Sequence, residues 1–435
     1  MHLYDLPLIC VLIGLALYVI LGGADFGAGL WQLATIVWPG RTPEKHERAR
    51  SIREYAHHAM GPVWEANHVW LIFVLTVTWT AYPGAFGAIA ATLVVPLFLA
   101  GLGVVFRGAA YALRAGTAKA SELGLIDTIF SLSSILTPFA LGTIIGAIAA
   151  QRVAGGETSG AVLSSWLSPL SVLIGVLAVS VSAYLAAVYL AADAARDGER
   201  QLVEQFRLRA LVAGVLAGVV ALAGLPVLHA EAHRVYTRLT DGPGLVGLVV
   251  SALAGVGTLV LVTRRRFEAA RVSAALAVAG VILGWALAQQ PILLAHLTVA
   301  QAAAGHETII ALLAAIAVGG AILFPSLGLL FGLLLRGRFD HAEGRPEADA
   351  PLAARELLAR LSDGLCARLA LAGLLGGLGL LTVAEAPWAH GIGVACLFAC
   401  MIFAFLAVEP GQLAAHAQDS EPTRLRLPRR GRRRG

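Results

Sequence analysis

Charge is the scarcest commodity in this 435-residue chain: Asp, Glu, Lys and Arg make up 14% of it, against roughly a quarter in an average soluble domain. With 58% hydrophobic residues and a mean hydropathy of +0.78, that scarcity excludes a soluble enzyme and a disordered chain. Methionine occurs three times and cysteine four times. Cys10, Cys366, Cys396 and Cys400 all lie in or beside apolar runs, which argues against a disulfide-framed secreted fold. Cys396 and Cys400 share a helix face with no further Cys or His run beside them, and read as small packing residues. The chain has no Walker loop, His-Glu-x-x-His, Cys-x-x-Cys-His or Gly-x-Ser-x-Gly elbow and no short-period repeat. The usual nucleotide, zinc, c-type haem and serine-hydrolase signatures are therefore missing.

What is present is a series of long apolar runs. Eleven stand out: Leu8–Leu30, Ala66–Ala81, Ala85–Phe106, Leu125–Ala149, Leu170–Leu190, Ala210–Leu228, Leu245–Val262, Ala274–Leu287, Ile309–Leu335, Leu369–Val383 and Ile392–Val408. A lipid-exposed backbone must satisfy its own hydrogen bonds, so each is expected to be helical. Pro96, Pro138, Pro226 and Pro325 fall within runs and are expected to kink them. The segments after odd-numbered runs, with the tail, hold 29 of the 32 Lys and Arg. The N-terminus and the remaining loops hold 3. The positive-inside rule then places the N-terminus outside and the C-terminus in the cytoplasm. Pro291–Glu307 carries no Lys or Arg and is read as an outer-surface or re-entrant segment, because a span there would break the alternation. The first run is too long for a signal peptide and lacks a basic leader. The Arg-rich end of the tail reads as an anchor on anionic lipid rather than a nucleic-acid arm.

Acidic residues are rare inside these runs, and a carboxylate in hydrocarbon is a functional candidate with a partner to be sought. Asp25, Glu65 and Asp127 lie within or at the ends of runs, all towards the cytoplasmic face; Glu409 opens the polar tail. The alternative for the first three is helix capping or snorkelling, which weighs most at Asp127. Asp25 is embedded in Gly22-Gly23-Ala24-Asp25-Phe26-Gly27-Ala28-Gly29, where glycines admit neighbouring helices. Glu65 and His68, within Trp64-Glu65-Ala66-Asn67-His68-Val69-Trp70-Leu71, are one helical turn apart. A carboxylate followed by an imidazole suits a proton relay. His57 and His58 read as solvated, and His229, Glu231 and His233 as a surface cluster without enough ligands for a metal.

These two stretches resemble the signatures of subunit II of the cytochrome bd quinol oxidase family. Gly22 to Gly29 is similar to the first. Gly61-Pro62-Val63 running into Trp64 to Leu71 is similar to the second, with Trp64, Asn67 and Trp70 as motif positions. Asp127 with Pro138, Gly142 and Gly146 resembles the fourth helix, and Phe206 to Ala210 the entry to the sixth. The resemblance covers the chain up to about Leu335. It implies an all-α integral membrane protein of two four-helix bundles plus peripheral helices, here with about eleven transmembrane helices. The chain divides accordingly into a membrane domain (1–335), a cytoplasmic loop (336–368), two additional helices (369–408) and a basic tail (409–435).

By the same resemblance the chain is the non-haem subunit of a quinol:dioxygen oxidoreductase in the bacterial cytoplasmic membrane. Haems b and d are then carried by the partner subunit I, and quinol oxidation is coupled to cytoplasmic proton uptake. Asp25, Glu65 and His68 are the implied proton path, without direct catalysis; Gly22, Gly27, Gly29 and Asp127 are motif positions. Expected partners are subunit I, the quinol pool and the bilayer, with no nucleic acid. Small accessory subunits and a quinone held by this subunit are left open. Three features depart from the family pattern: Glu65 where Asp is commoner, His68 at a variable position, and the two extra helices. A secondary transporter would also account for buried carboxylates, but its sites usually lie at the midplane between repeats; a purely structural membrane subunit with inert carboxylates is the other alternative.

Overall fold

The computed structural model describes residues 2–38, 42–60, 64–116, 120–154, 164–335, 365–383 and 387–407. The side chains of His57, His58, Trp64 and Glu65 lie outside the described set, as do the expected tail and nearly all of the expected 336–368 loop. The chain is an all-α membrane protein. Among the described residues eight helices are long and apolar enough to cross a membrane, or up to nine if one bent pair is a single span.

The first apolar run forms α1 (Leu6–Leu17) and α2 (Gly23–Val37), joined without a break through one π-helical turn, Tyr18–Gly22. After the polar helix α3 (Pro43–Met60) comes α4 (Trp64–Ala81), which bends by 120° into α5 (Pro83–Thr92). Tyr82-Pro83 makes the bend. A residue before proline is pushed out of the helical region, and Tyr82 sits at φ −135°, ψ 59°. Its ring is buried and its hydroxyl donates to the Tyr4 carbonyl at 2.7 Å. The run expected to span over Ala85–Phe106 is therefore divided at Leu93; the spanning helix is α6 (Val94–Gly116), which carries on well past Phe106. Pro96 falls in the first turn of α6, where a missing N–H is harmless. It ends up starting a helix instead of kinking one. Pro138, Pro226 and Pro325 do lie inside helices.

Next come α7 (Ala120–Ala149), α8 (Pro169–Arg196), α9 (Arg200–Glu231), the short α10 (His233–Thr240), α11 (Leu245–Thr263) and α12 (Phe267–Gln289). The segment from Pro291 does not form a long helix. It makes a two-stranded antiparallel ladder, β1 (Ile292–Leu294) with β2 (Leu297–Thr298), then a single turn, α13 (Val299–Ala302). Helix α14 (His306–Leu335) follows. Contacts sort the spans into two sets of four: α1/α2 with α4, α6 and α7, and α8, α9, α11 and α12. The α7–α8 and α2–α8 packings join the sets.

Close approach at those seams depends on small residues. A Cβ on Gly27 of α2 would land on the Ser182 carbonyl of α8. One on Gly142 would sit 2.7 Å from the Ile174 carbonyl, so α7 and α8 meet nearly backbone to backbone. On the Arg-rich side, α3 buries Ile52 and Ala56 against the core containing Ala24 and Ala28. The Tyr55 hydroxyl of α3 donates to Asp197 at the end of α8, at 2.6 Å. Burial and the Asp197 carboxylate push that phenol's pKa up.

Residues 325–435 form a separate compact unit. Within it α15 (Leu365–Val383) packs on α16 (Pro387–Ala407), with Gly373 against the backbone of Cys396 and Cys400. Both runs expected to be extra spans are helices. They run for 19 and 21 residues; the spans identified among the described residues number eight or nine, short of the expected eleven.

Candidate functional site

Helix α2 presents two stripes. Gly23, Gly27 and Trp31 face α8, where Gly23 and Gly27 abut Ser182 and the Trp31 indole donates to the Ala183 carbonyl at 2.9 Å. Asp25, Gly29 and Gln32, spaced i, i+4 and i+7, make up a second, fully buried stripe. Asp25 and Gly29 meet residues of α6 and α7 there.

At its centre is a buried ion pair. Arg107 of α6 donates from Nη2 to Asp25 Oδ1 at 2.5 Å and to the Asp25 carbonyl at 3.0 Å. Its Nη1 donates to the Ser134 hydroxyl of α7. Both side chains of the pair are 1% exposed. The guanidinium also lies over the rings of Phe130 and Phe26, at 4.1 and 5.1 Å from their centroids, a cation–π arrangement suited to a desolvated cation. Gly29 leaves the room this needs, because a Cβ there would strike the Ser134 hydroxyl and come within 3.1 Å of Arg107 Nη1.

By hydropathy the third run ends at Phe106 and Arg107 counts among the loop charges. The structure corrects this: Arg107 is inside a helix and is the counter-ion Asp25 requires. Seven residues on, Arg114 pairs with Asp127 of α7. Asp127 sits in the second turn of its helix with its side chain 9% exposed. It is thus a paired group within the bundle, and the capping or snorkelling alternative is set aside.

Helix α4 contributes the second half of the site. Asn67 is buried and its amide points to the Leu21 carbonyl, at 3.4 Å. Leu21 belongs to the π turn, whose wider hydrogen-bond pattern leaves a carbonyl to be satisfied from outside. His68 packs edge to face against Tyr18 and Phe26, with centroids 6.2 and 6.1 Å away. Phe26 therefore touches both His68 and Arg107. Trp70 stacks edge-on with Phe73 of its own helix, 6.3 Å away, and Gly22 lies against the Tyr18 ring. Several buried polar atoms in these helices have no hydrogen-bond partner among the described residues: Asp25 Oδ2, Arg107 Nε, the Gln32 amide, Ser131 Oγ and the Tyr18 hydroxyl. Such atoms are the usual seats of interior water.

The cluster around His229 and His233 is different in kind. His229 and His233 stack edge to face at 4.7 Å, while Glu231 is drawn to Arg152, 3.7 Å away. Among the described residues no group of three or more His, Cys, Asp or Glu is placed to hold a metal ion.

A family model described as cytochrome bd terminal oxidase subunit II matches residues 3–334. The chain belongs to that family. The matched region takes in α1 to α14 and thus every residue of the site. A curated relative, cytochrome bd ubiquinol oxidase subunit 2 of Bacillus subtilis (strain 168), is 27% identical over 142 residues. That stretch is 33% of this chain and 39% of the relative, so well under two thirds of the relative is spanned. The fold is also seen in a solved structure. A chain in the structure of bd oxidase from Geobacillus thermodenitrificans superposes with a TM-score of 0.61 at 13% identity, covering 77% of this chain and all of that one.

Sequence reasoning missed Arg107, Ser134 and Tyr18. A signal for the arginine was available: Arg107 and Arg114 repeat the seven-residue spacing of Asp127 and Ser134. On two antiparallel helices, equal spacing places both pairs at matching heights.

Proposed function

We propose that this chain is the non-haem subunit II of a bd-type terminal quinol oxidase, paired with a haem-bearing subunit I in the bacterial cytoplasmic membrane. The family match over residues 3–334 carries this reading. The complex oxidises quinol and reduces dioxygen to water, with haems b and d supplying the redox chemistry from subunit I. His68 is the one described histidine that is not exposed, and Tyr18 and Phe26 pack against its ring. That setting suits a proton carrier better than an axial haem ligand.

The role of this chain's own residues is to hold and pass protons. Arg107 clamps Oδ1 of Asp25 and leaves Oδ2 for exchange with interior water. Glu65 and His68 lie one turn apart on α4, and His68 reaches the aromatic shell around Asp25. Gln32 and Ser131 offer further polar atoms along the same buried face. In this reading protons enter from the Arg-rich, cytoplasmic side, with the N-terminus outside.

Three measurements test it. Co-purification should yield a haem-bearing partner with a reduced-minus-oxidised spectrum, whereas the chain alone should carry no stoichiometric haem; haem at one per chain would overturn the division of labour. Glu65→Gln should assemble with full haem content and Asp25→Asn with a lowered thermal midpoint, because Arg107 then lacks its counter-ion; both should lose quinol oxidase turnover by about a hundredfold, as expected on removing a positioned proton carrier. Glu65→Asp should keep much of the turnover. Full turnover in both amide variants would reduce the two residues to structural polar groups. A reporter fused at Gln418 should report from the cytoplasm, and a periplasmic signal would mean the span count is wrong by one.

A further inference from the structure

We propose that a groove on the Arg-rich side of the second helix set binds the phosphate of an anionic phospholipid. It is independent of the proton path, lying where three spans end together: the last turn of α8, the α11–α12 turn and the first turn of α12. Its volume is about 430 Å³, lined by Ala192, Ala195, Arg196, Arg265, Arg266, Phe267, Glu268 and Ala269. Clefts that hold small ligands span about 300–1,000 Å³.

The lining has two chemistries. Ala192, Ala195, Ala269 and the buried Phe267 make an apolar floor, and three arginines make the rim. Two of the three are engaged. Arg196 grips Glu268 with two hydrogen bonds of 2.7 and 2.9 Å, and Arg265 pairs with Glu204 at 2.7 Å. Arg266 makes no ion pair or side-chain hydrogen bond among the described residues, so one guanidinium at the rim is unspent.

The backbone fixes that rim. The turn after α11 closes with Arg266 N–H on the Leu261 carbonyl and Arg265 N–H on the Val262 carbonyl, the paired bonds of a Schellman motif. Its left-handed position usually falls to glycine; here Arg265 holds it, at φ 58°. A side chain is kept where a bare turn would be easier, and it sets two cationic residues side by side at the membrane surface. Basic pockets between spans at this depth suit lipid phosphates. The apolar floor favours a lipid over free phosphate, which gains nothing from alanine and phenylalanine.

The test uses the full chain with the partner it co-purifies with, in detergent, titrated with phosphatidylglycerol or phosphatidylcholine and read by native mass spectrometry. Phosphatidylglycerol should be retained several-fold better. Arg266→Gln should weaken it roughly tenfold, as for loss of one charge-assisted hydrogen bond. Arg264→Gln removes the same charge two residues away, outside the groove, and should change retention by less than about twofold, since an exposed charge acts weakly at a distance. Equal loss in the two variants would mean a diffuse basic surface and sink the proposal. So would equal retention of the two lipids. Displacement by millimolar inorganic phosphate would show a free-anion site and overturn the lipid assignment.

Discussion

Arg107→Met should lower the stability of the membrane domain by about 3–5 kcal/mol, the usual result of leaving one partner of a buried ion pair alone. Asp25 would be left at 1% exposure with no cation beside it, and Ser134 would lose its donor. The check is the thermal midpoint of the assembled complex in detergent, followed by haem retention. A second variant separates structure from function. Asp25→Asn with Arg107→Met removes both charges, and replacing a buried pair by neutral groups is often close to neutral for the fold. The double variant should therefore recover most of the lost midpoint while turnover stays low. A wild-type midpoint for Arg107→Met alone would show that the pair contributes nothing to the fold. Recovery of both midpoint and turnover in the double variant would remove these residues from the proton path.

Gly27→Ala should be the other severe change, although it adds one methyl group. That methyl meets the carbonyl of Ser182, which belongs to the α8 backbone and cannot rotate away as a side chain would. Helices α2 and α8 must separate, at a cost of about 1–3 kcal/mol or more for overpacking. The same shift moves Asp25, two residues earlier, relative to Arg107. Gly101→Ala in α6 is the control, since nothing lies within 4 Å of the added Cβ. It should be neutral or stabilising by about 0.5–1 kcal/mol, because alanine suits a helix interior better than glycine. Comparable losses in both variants would show that the α2–α8 contact is not what glycine protects at position 27.

Much of this architecture could be read from residue order alone. The apolar runs located the spans because lipid leaves helices few alternatives, and most observed helices overlap the expected ranges. Asp25 was legible as a functional candidate for the same reason: a carboxylate in an apolar run needs an explanation. Arg107 was not, because hydropathy averages over a window. An arginine at the edge of an apolar run lowers the average just as a true loop charge does, and only its opposite number in space shows otherwise. The break at Leu93 was hidden in a similar way, since Pro83 marks a helix start without showing where the next helix begins. The π turn carries no sequence mark at all: Tyr18-Val19-Ile20-Leu21-Gly22 reads as ordinary apolar helix. Its presence depends on tertiary partners, among them the Asn67 amide on the Leu21 carbonyl.

That π turn also sets the phase of everything beyond it. A π turn holds roughly one residue more than an α turn, and each residue of an α-helix advances the side-chain direction by about 100°. The first transmembrane rod is therefore two half-rods with different headings. The N-terminal half aims Gly14 at Phe73 and Val74 of α4, while the C-terminal half aims Asp25 at Arg107 of α6. Removing a single residue between Tyr18 and Gly22 would leave composition, length and hydropathy almost untouched. It would nonetheless turn the carboxylate about a quarter revolution away from its arginine, and swing the glycine stripe off α8 in the same motion. The chemistry at position 25 thus depends on a count of residues a full turn earlier, where no side chain takes part in it.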